Sequence, residues 1–209
     1  MRVPLWGPRY ERKDIRRMNR AGVGRMLVAS LHQGISDLMP SRLEFYENWL
    51  NPRGMRDGKI GLAPLAAVLS FLRQEGEPYT LVTSRAGQYA AQWTFDNLMP
   101  VQRSIIRALP ATLRARMALE LAKKVVRRSY SDTRAVTKLR RRQGTLTLRS
   151  SIFCTVREPF DWPLCVFYSA ALSHLLALVG VNGEVRVHTC QGVGDQSCVI
   201  GVNVAPEQK

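Results

Sequence analysis

The chain has 209 residues, a formal net charge of +15, a hydrophobic share of 45% and a charged share of 22%. That length suits one domain, or one domain with an N-terminal extension, and the composition is ordinary for a globular protein with a sizeable core. Four cysteines without a secretion signal argue against export: Met1 to Arg17 is charged throughout and lacks an apolar run, so a reducing, cytoplasmic setting is expected.

Residues 1–20 read as a basic lead-in and residues 21–209 as a single domain. Val23 to Leu38 is helical by pattern, with Met26, Leu27, Ser30, Leu31, Ile35 and Leu38 at three- and four-residue steps. Pro40 stops it. Ser41, with Glu44 three residues on, has the spacing of a capping box for a helix over Arg42 to Leu50. Asn51-Pro52-Arg53-Gly54 reads as a turn, and Gly58-Lys59-Ile60-Gly61 leads into a helix over Leu62–Arg73. Pro78 is expected to break the pattern and Ser84 to cap a further helix, Arg85 to Leu98. Pro100 and Pro110 punctuate two more helical segments. The second, Ala111 to Tyr130, carries Leu113, Met117, Leu121 and Val125 on one side and Arg114, Lys124 and Arg128 on another.

Charge is concentrated between Val101 and Ser150. Fourteen basic residues there meet only Glu120 and Asp132, a band that attracts polyanions or anionic lipid head groups through a long-range field. Contact with nucleic acid or an anionic membrane through residues 101–150 is therefore one expectation, and an ordinary solvated face is the other. No helix-turn-helix is legible, so DNA binding would rest on phosphates and be salt-sensitive.

From Ala135 the apolar period changes to two. Val136 and Leu139 are followed by Leu146 and Leu148, with Gln143-Gly144 as the turn between, and the second strand is expected to run on through Ile152, Cys154 and Val156. Trp162 to Asn182 holds no charged residue. Its polar groups, Tyr168, Ser169, Ser173 and His174, together with Pro163 in a first-turn position, favour a buried central helix over a membrane span. Glu184 to Cys190 alternates again, and Val199 to Val204 closes the sheet. Helices first and then a ββαββ unit at about 144–204 predict an α+β fold with an antiparallel sheet.

The final hairpin carries Thr189-Cys190-Gln191-Gly192-Val193-Gly194-Asp195-Gln196-Ser197-Cys198. This ending, with Cys165 near the start of the preceding helix, resembles the 4-vinyl-reductase domain family over about sixty residues. Its members include bacteriochlorophyll 4-vinyl reductase-like proteins and the sensor domains of phenol-responsive activators, and they share the fold of TRAPP subunits. The resemblance implies a TRAPP-like domain that encloses a ligand between the central helix, the sheet and the upstream helices. It also implies a homodimer. In the phenol sensors the zinc ligands are three cysteines and a glutamate three residues before the second cysteine. Here the cysteines fall at Cys165, Cys190 and Cys198, while the glutamate position holds Val187. His188 and Cys190 lie two apart on a predicted strand and would share a face. Cys165, His188, Cys190 and Cys198 would then make a closed structural zinc site of three thiolates and one imidazole, with Cys154 a further candidate. Four buried thiols acting as small hydrophobes are the alternative.

No nucleotide fingerprint, P-loop, G-x-S-x-G or H-E-x-x-H occurs, and the G-x-G pieces at Gly22 and Gly192 lack the strand–helix context of a dinucleotide site. A non-catalytic role is expected, and the resemblance implies binding, as sensor or carrier, of a hydrophobic or aromatic small molecule of hydrocarbon or tetrapyrrole type. Tyr168, Ser169, Ser173 and His174 offer polar handles for it, and Tyr89, Trp93, Phe95 and Phe153 aromatic walls. The alternatives are a bacteriochlorophyll-pathway protein of the resembled family and a basic adaptor.

Overall fold

The computed structural model describes residues 22–50, 61–156 and 158–206. Helices α1 (Arg25–Leu38), α2 (Leu43–Leu50), α3 (Leu62–Gln74), α4 (Glu77–Asp96), α5 (Pro100–Ala108) and α6 (Ala111–Ser129) come first. Strands β1 (Arg134–Arg140) and β2 (Gln143–Arg149), helix α7 (Val166–Leu178) and strands β3 (Gly183–Thr189) and β4 (Cys198–Val204) follow. All strand pairs are antiparallel, in the order β1-β2-β4-β3. The predicted α+β order and antiparallel sheet are present. The basic lead-in, the turn at Asn51–Gly54 and the Gly58-Lys59-Ile60 entry lie outside the described residues.

Helix α4 is the axis of the helical half. Pro78 sits in its first turn, where an N–H would have no partner, so this proline starts a twenty-residue helix rather than breaking one. Ser84 accordingly lies inside α4 and caps nothing. Ser41 likewise falls within a short 3-10 turn, Pro40–Arg42, and not at the predicted cap of α2. Small residues on α4 (Ala86, Gly87, Ala90, Ala91) are buried, and they let neighbouring backbones approach. A Cβ on Gly34 of α1 would stand 2.8 Å from the Val82 carbonyl, and one on Gly87 would stand 2.2 Å from the Phe167 carbonyl of α7. Helix α4 is thus wedged between α1 and α7 with no spare space at either crossing.

Helix α7 buries Phe167, Tyr168, Ala171, Leu172, Leu175 and Leu176. At 13 residues it is only ~20 Å long, well short of a bilayer core of about 30 Å. No helix among the described residues is long and apolar enough to cross a membrane. Helix α6 faces the core through Ala115, Ala118, Leu119, Ala122, Val125 and Val126. The predicted stripe starts at Leu113, which is 44% exposed. A strict four-residue step drifts about 40° per turn on a 3.6-residue helix, so the stripe enters the core face only at Leu121 and Val125, which are buried.

The sheet differs from expectation in three places, each for a local reason. The β1–β2 turn is at Arg141 and Arg142, with Arg141 at φ 54°, and Gln143 and Gly144 already belong to β2. Strand β2 stops at Arg149 because Ser150 takes φ 60° and Ile152–Cys154 then coil into a 3-10 turn. The shared parity of Ile152, Cys154 and Val156 therefore does not mark a strand. Finally, β3 carries a bulge. Val187 pairs with Ile200 and Thr189 with Val199, so β3 spends one extra residue, His188, against β4.

Candidate metal centre

That bulge decides which side chains meet. Strand parity alone would put His188 and Cys190 on one face, but an extra residue between them reverses the alternation. Cys190 turns inward and is fully buried beside Cys198. His188 is exposed, and its ring lies across Gly201 on the outer face of the sheet, where a Cβ on that glycine would meet Nε2 at 2.0 Å.

Four thiols converge on the inner side. Cys154 ends the 3-10 turn after β2, Cys165 stands at the N-cap of α7, Cys190 follows β3 and Cys198 opens β4. All four are buried, and their Sγ atoms lie within 4.8 Å of one another. Cys154 Sγ is 3.4 Å from that of Cys190 and 3.5 Å from that of Cys198, and the Cys190–Cys198 separation is 4.0 Å. Four thiolates at about 2.3 Å around a tetrahedral zinc would have sulfurs about 3.8 Å apart. The arrangement is positioned to coordinate a metal ion and supports the expected structural zinc site. The fourth thiol of the cluster is that of Cys154, in the place that strand parity assigned to His188.

The backbone around the sulfurs is arranged for anionic ligands. The N–H groups of Leu164 and Gly192 donate to Cys190 Sγ at 3.3 and 3.4 Å, and that of Gln191 donates to Cys198 Sγ at 3.4 Å. A thiolate accepting such bonds is oriented and partly neutralised. The loop that supplies them is fixed in turn: Cys190 N–H donates to Asp195 Oδ2 at 2.8 Å, and Phe160 N–H donates to the Gly192 carbonyl at 2.8 Å. A Cβ on Gly192 would press on Leu164 at 2.8 Å, so glycine is what lets the two strands of loop close. The Cys154, Cys165 and Cys198 thiols, helped by Gly192 N–H, draw the Cys190 thiol well below the ordinary range. The Cys165 thiol is pushed up, first by Cys154. Protons shared in this way are the ones a thiophilic cation displaces.

Two residues that carry no motif in the sequence grip the chain just before two of these cysteines. Arg73, at the end of α3, donates from Nη2 to the Phe153 carbonyl at 3.1 Å. The Tyr79 hydroxyl, in the first turn of α4, donates to the Leu164 carbonyl at 2.7 Å, and its ionisation is strongly suppressed by burial.

The residues expected to act as ligand handles do not converge on one place. Phe153 stacks on Phe167 with centroids 4.8 Å apart and meets Tyr168 edge-on at 5.4 Å, all three buried. Tyr168 has its hydroxyl in the interior. Phe95 is buried elsewhere, under the Arg107 guanidinium. Tyr89 and Trp93 pair on the outer side of α4, where the Tyr89 hydroxyl donates to Asp37 at 2.6 Å. That bond, with Gln33 and Arg85, lowers the Asp37 carboxyl to about 2. Ser169 donates back to the Val166 carbonyl, Ser173 is exposed, and His174 bonds Gln92 at 3.0 Å. Burial, with the charge of Arg85, lowers the His174 imidazole.

An α+β domain with helices leading, a ββαββ end and a buried four-thiol centre is the class these observations define. Solved structures place the fold more narrowly. The H-NOX domain from Shewanella oneidensis in the Fe(II)CO ligation state aligns over 88% of this chain and 99% of its own, with 14% identity and a TM-score of 0.57. An Fe(II) unliganded H-NOX protein mutant from K. algicida aligns over 88% and 97%, with 11% identity and a TM-score of 0.56. The fold is that of H-NOX proteins. This overturns the TRAPP-like, 4-vinyl-reductase assignment. The resemblance that carried it covers about sixty residues, whereas the H-NOX match takes in the helical half as well. A phenol-responsive sensory domain with phenol aligns over only 71% of the chain, at 16% identity and a TM-score of 0.45, too loose to carry an argument. No family model matches the sequence, and no curated protein matches it.

Proposed function

We propose that the chain is a non-catalytic, small-molecule-responsive domain of H-NOX fold whose C-terminal half is pinned by a four-cysteine zinc centre. The observation that carries this reading is the convergence of Cys154, Cys165, Cys190 and Cys198 from four separate segments. A closed shell of four thiolates leaves no open coordination position, which is the mark of a structural rather than a catalytic zinc. The ligand proposed for such a fold is hydrophobic or aromatic, and the buried ring cluster of Phe153, Phe167 and Tyr168 would be its apolar wall. Burial of the Tyr168 hydroxyl supplies one polar handle among apolar walls.

The H-NOX proteins above are described in iron ligation states, and an iron tetrapyrrole is the group the fold suggests. The residues here do not fit it. Its usual protein ligand is an imidazole aimed into an enclosed apolar slot. His32 is tied to Glu47 at 2.7 Å, His174 to Gln92, and His188 lies on the exposed sheet face. The close crossings of α4 with α1 and α7 leave no slot between those helices. No step of the proposed function runs through haem.

A second reading concerns the basic band. Helix α5 exposes Val101 and Ile105, at 67% and 57%, next to Met99 at 63%, and it carries Arg103 and Arg107. Apolar and basic side chains so interleaved suit an anionic membrane surface better than nucleic acid, which would call for stacking aromatics. Vesicle co-sedimentation with neutral and anionic lipids at two salt concentrations tests it, and absence of binding at low salt removes it. Native mass spectrometry of protein purified from its source tests the main reading. It reports copurified ligand, zinc and self-association together, and metal-free, ligand-free protein would count against both halves of that reading.

A further inference from the structure

Arg73 is the one charged side chain among the buried described residues, 8% exposed. It has no carboxylate partner among the described residues, and its Nε makes no hydrogen bond. A guanidinium stays protonated wherever it is placed, so burying it without a counter-charge is costly. Something anionic in the interior is called for. No described carboxylate lies within ion-pair distance of it, and its hydrogen bond goes to a backbone carbonyl, that of Phe153. Phe153 immediately precedes Cys154, and Tyr79 holds the carbonyl of Leu164, which immediately precedes Cys165.

A divalent ion held by four thiolates carries a net charge of −2. The three N–H···S bonds from Leu164, Gln191 and Gly192 neutralise part of it, all at the hairpin sulfurs of Cys190 and Cys198. Cys154 and Cys165 receive their support from the helical half, through the Arg73 and Tyr79 contacts. We infer that Arg73 is the counter-charge and positioning residue of the four-cysteine metal centre, coupling the α3–α4 corner to metal occupancy. The inference rests on the metal-centre reading above. It assigns a reason for a buried cation that packing alone leaves unexplained. Loading the site displaces thiol protons and adds net negative charge next to the Phe153 carbonyl that Arg73 holds, so the cation is better balanced in the loaded protein than in the stripped one. Removing its charge must therefore cost the loaded form more than the stripped one.

The test compares wild type, Arg73→Met and Arg73→Lys, each with zinc content measured by elemental analysis. Zinc affinity is read by competition with a chromophoric chelator, and thermal midpoints are recorded with zinc bound and after stripping. Arg73→Met is expected to weaken zinc binding on the order of 10- to 100-fold, the usual range for groups supporting metal ligands. Arg73→Lys, which keeps the charge, should recover most of that loss. The midpoint of Arg73→Met should fall further in the zinc form than in the stripped form. An equal fall in both forms, or unchanged zinc affinity, would show a packing role and overturn the inference. Should Arg73→Met not fold, Arg73→Gln against Arg73→Lys makes the same comparison of charge. Wild-type protein that binds no zinc at all overturns the metal-centre reading itself, a result distinct from zinc bound with no dependence on Arg73.

Discussion

Cys154 Sγ lies 3.4 Å from Cys190 Sγ although 36 residues separate them in sequence. The contact joins the turn after β2 to the end of β3, and Cys198 and Cys165 complete it from β4 and α7. If these four sulfurs hold the metal, Cys154→Ser and Cys190→Ser should each abolish stoichiometric zinc. His188→Ala should retain it in full, because that imidazole lies on the other face of the sheet. Elemental analysis of the three variants decides the point. Zinc lost from His188→Ala and kept in Cys154→Ser would reverse the assignment.

The helix crossings make a prediction about stability. At Gly87 a methyl group would be driven against the Phe167 carbonyl, 2.2 Å from the position it must take. Backbone, not a flexible side chain, is in the way, so α4 and α7 must separate. Gly87→Ala should destabilise the protein by about 1–3 kcal/mol or more, the range for overpacked cores. Urea unfolding at fixed zinc concentration measures it, and a change within about 0.5 kcal/mol, as for an ordinary surface position, would show that the crossing is looser than described.

His174 supplies a pH dependence with a definite sign. Burial and the Arg85 charge hold its folded pKa below the ordinary 6.5, so the unfolded chain takes up the proton first. Stability from the neutral imidazole is complete above 6.5 and declines as pH falls below that value towards the folded pKa. Compared with wild type, His174→Asn should lose less stability between about pH 7.5 and about pH 5.5, roughly one unit either side of the histidine range. Thermal midpoints of the two proteins across that interval, taken as a difference so that proton competition at the thiols cancels, check it. Parallel curves would remove His174 as the source.

Haem uptake separates this chain from what its fold suggests. Titration with ferric haem should give no stoichiometric shift of the haem absorption band, since none of the three histidines is aimed into an enclosed slot. A sharp one-to-one endpoint, abolished by substitution of a single histidine, would contradict that placement.

Much of this architecture is legible in the sequence because period and parity report burial directly. The ββαββ end and the uncharged helix could be read from Leu146, Leu148 and the run around Leu172. Three of the four thiols could be grouped from their spacing. The fourth, Cys154, stood only as a further candidate, since its position depends on two local departures from regular geometry. Ser150 at positive φ curls Cys154 into a 3-10 turn, and the bulge at His188 turns Cys190 inward while leaving the imidazole outside. Neither departure has a sequence marker such as glycine or proline at the critical residue. Pro78 misleads for a related reason: a proline marks both the end of one helix and the first turn of the next, and only the chain's path distinguishes them. The supporting pair Arg73 and Tyr79 was invisible because each acts on a backbone carbonyl 80 or more residues away.

X-ray absorption at the zinc edge of the purified protein is the most direct test of the four-thiol centre. A single shell of four sulfurs at about 2.3 Å, with no imidazole scattering, is the predicted result. A shell that includes nitrogen or oxygen donors, or protein that retains no metal, would contradict it.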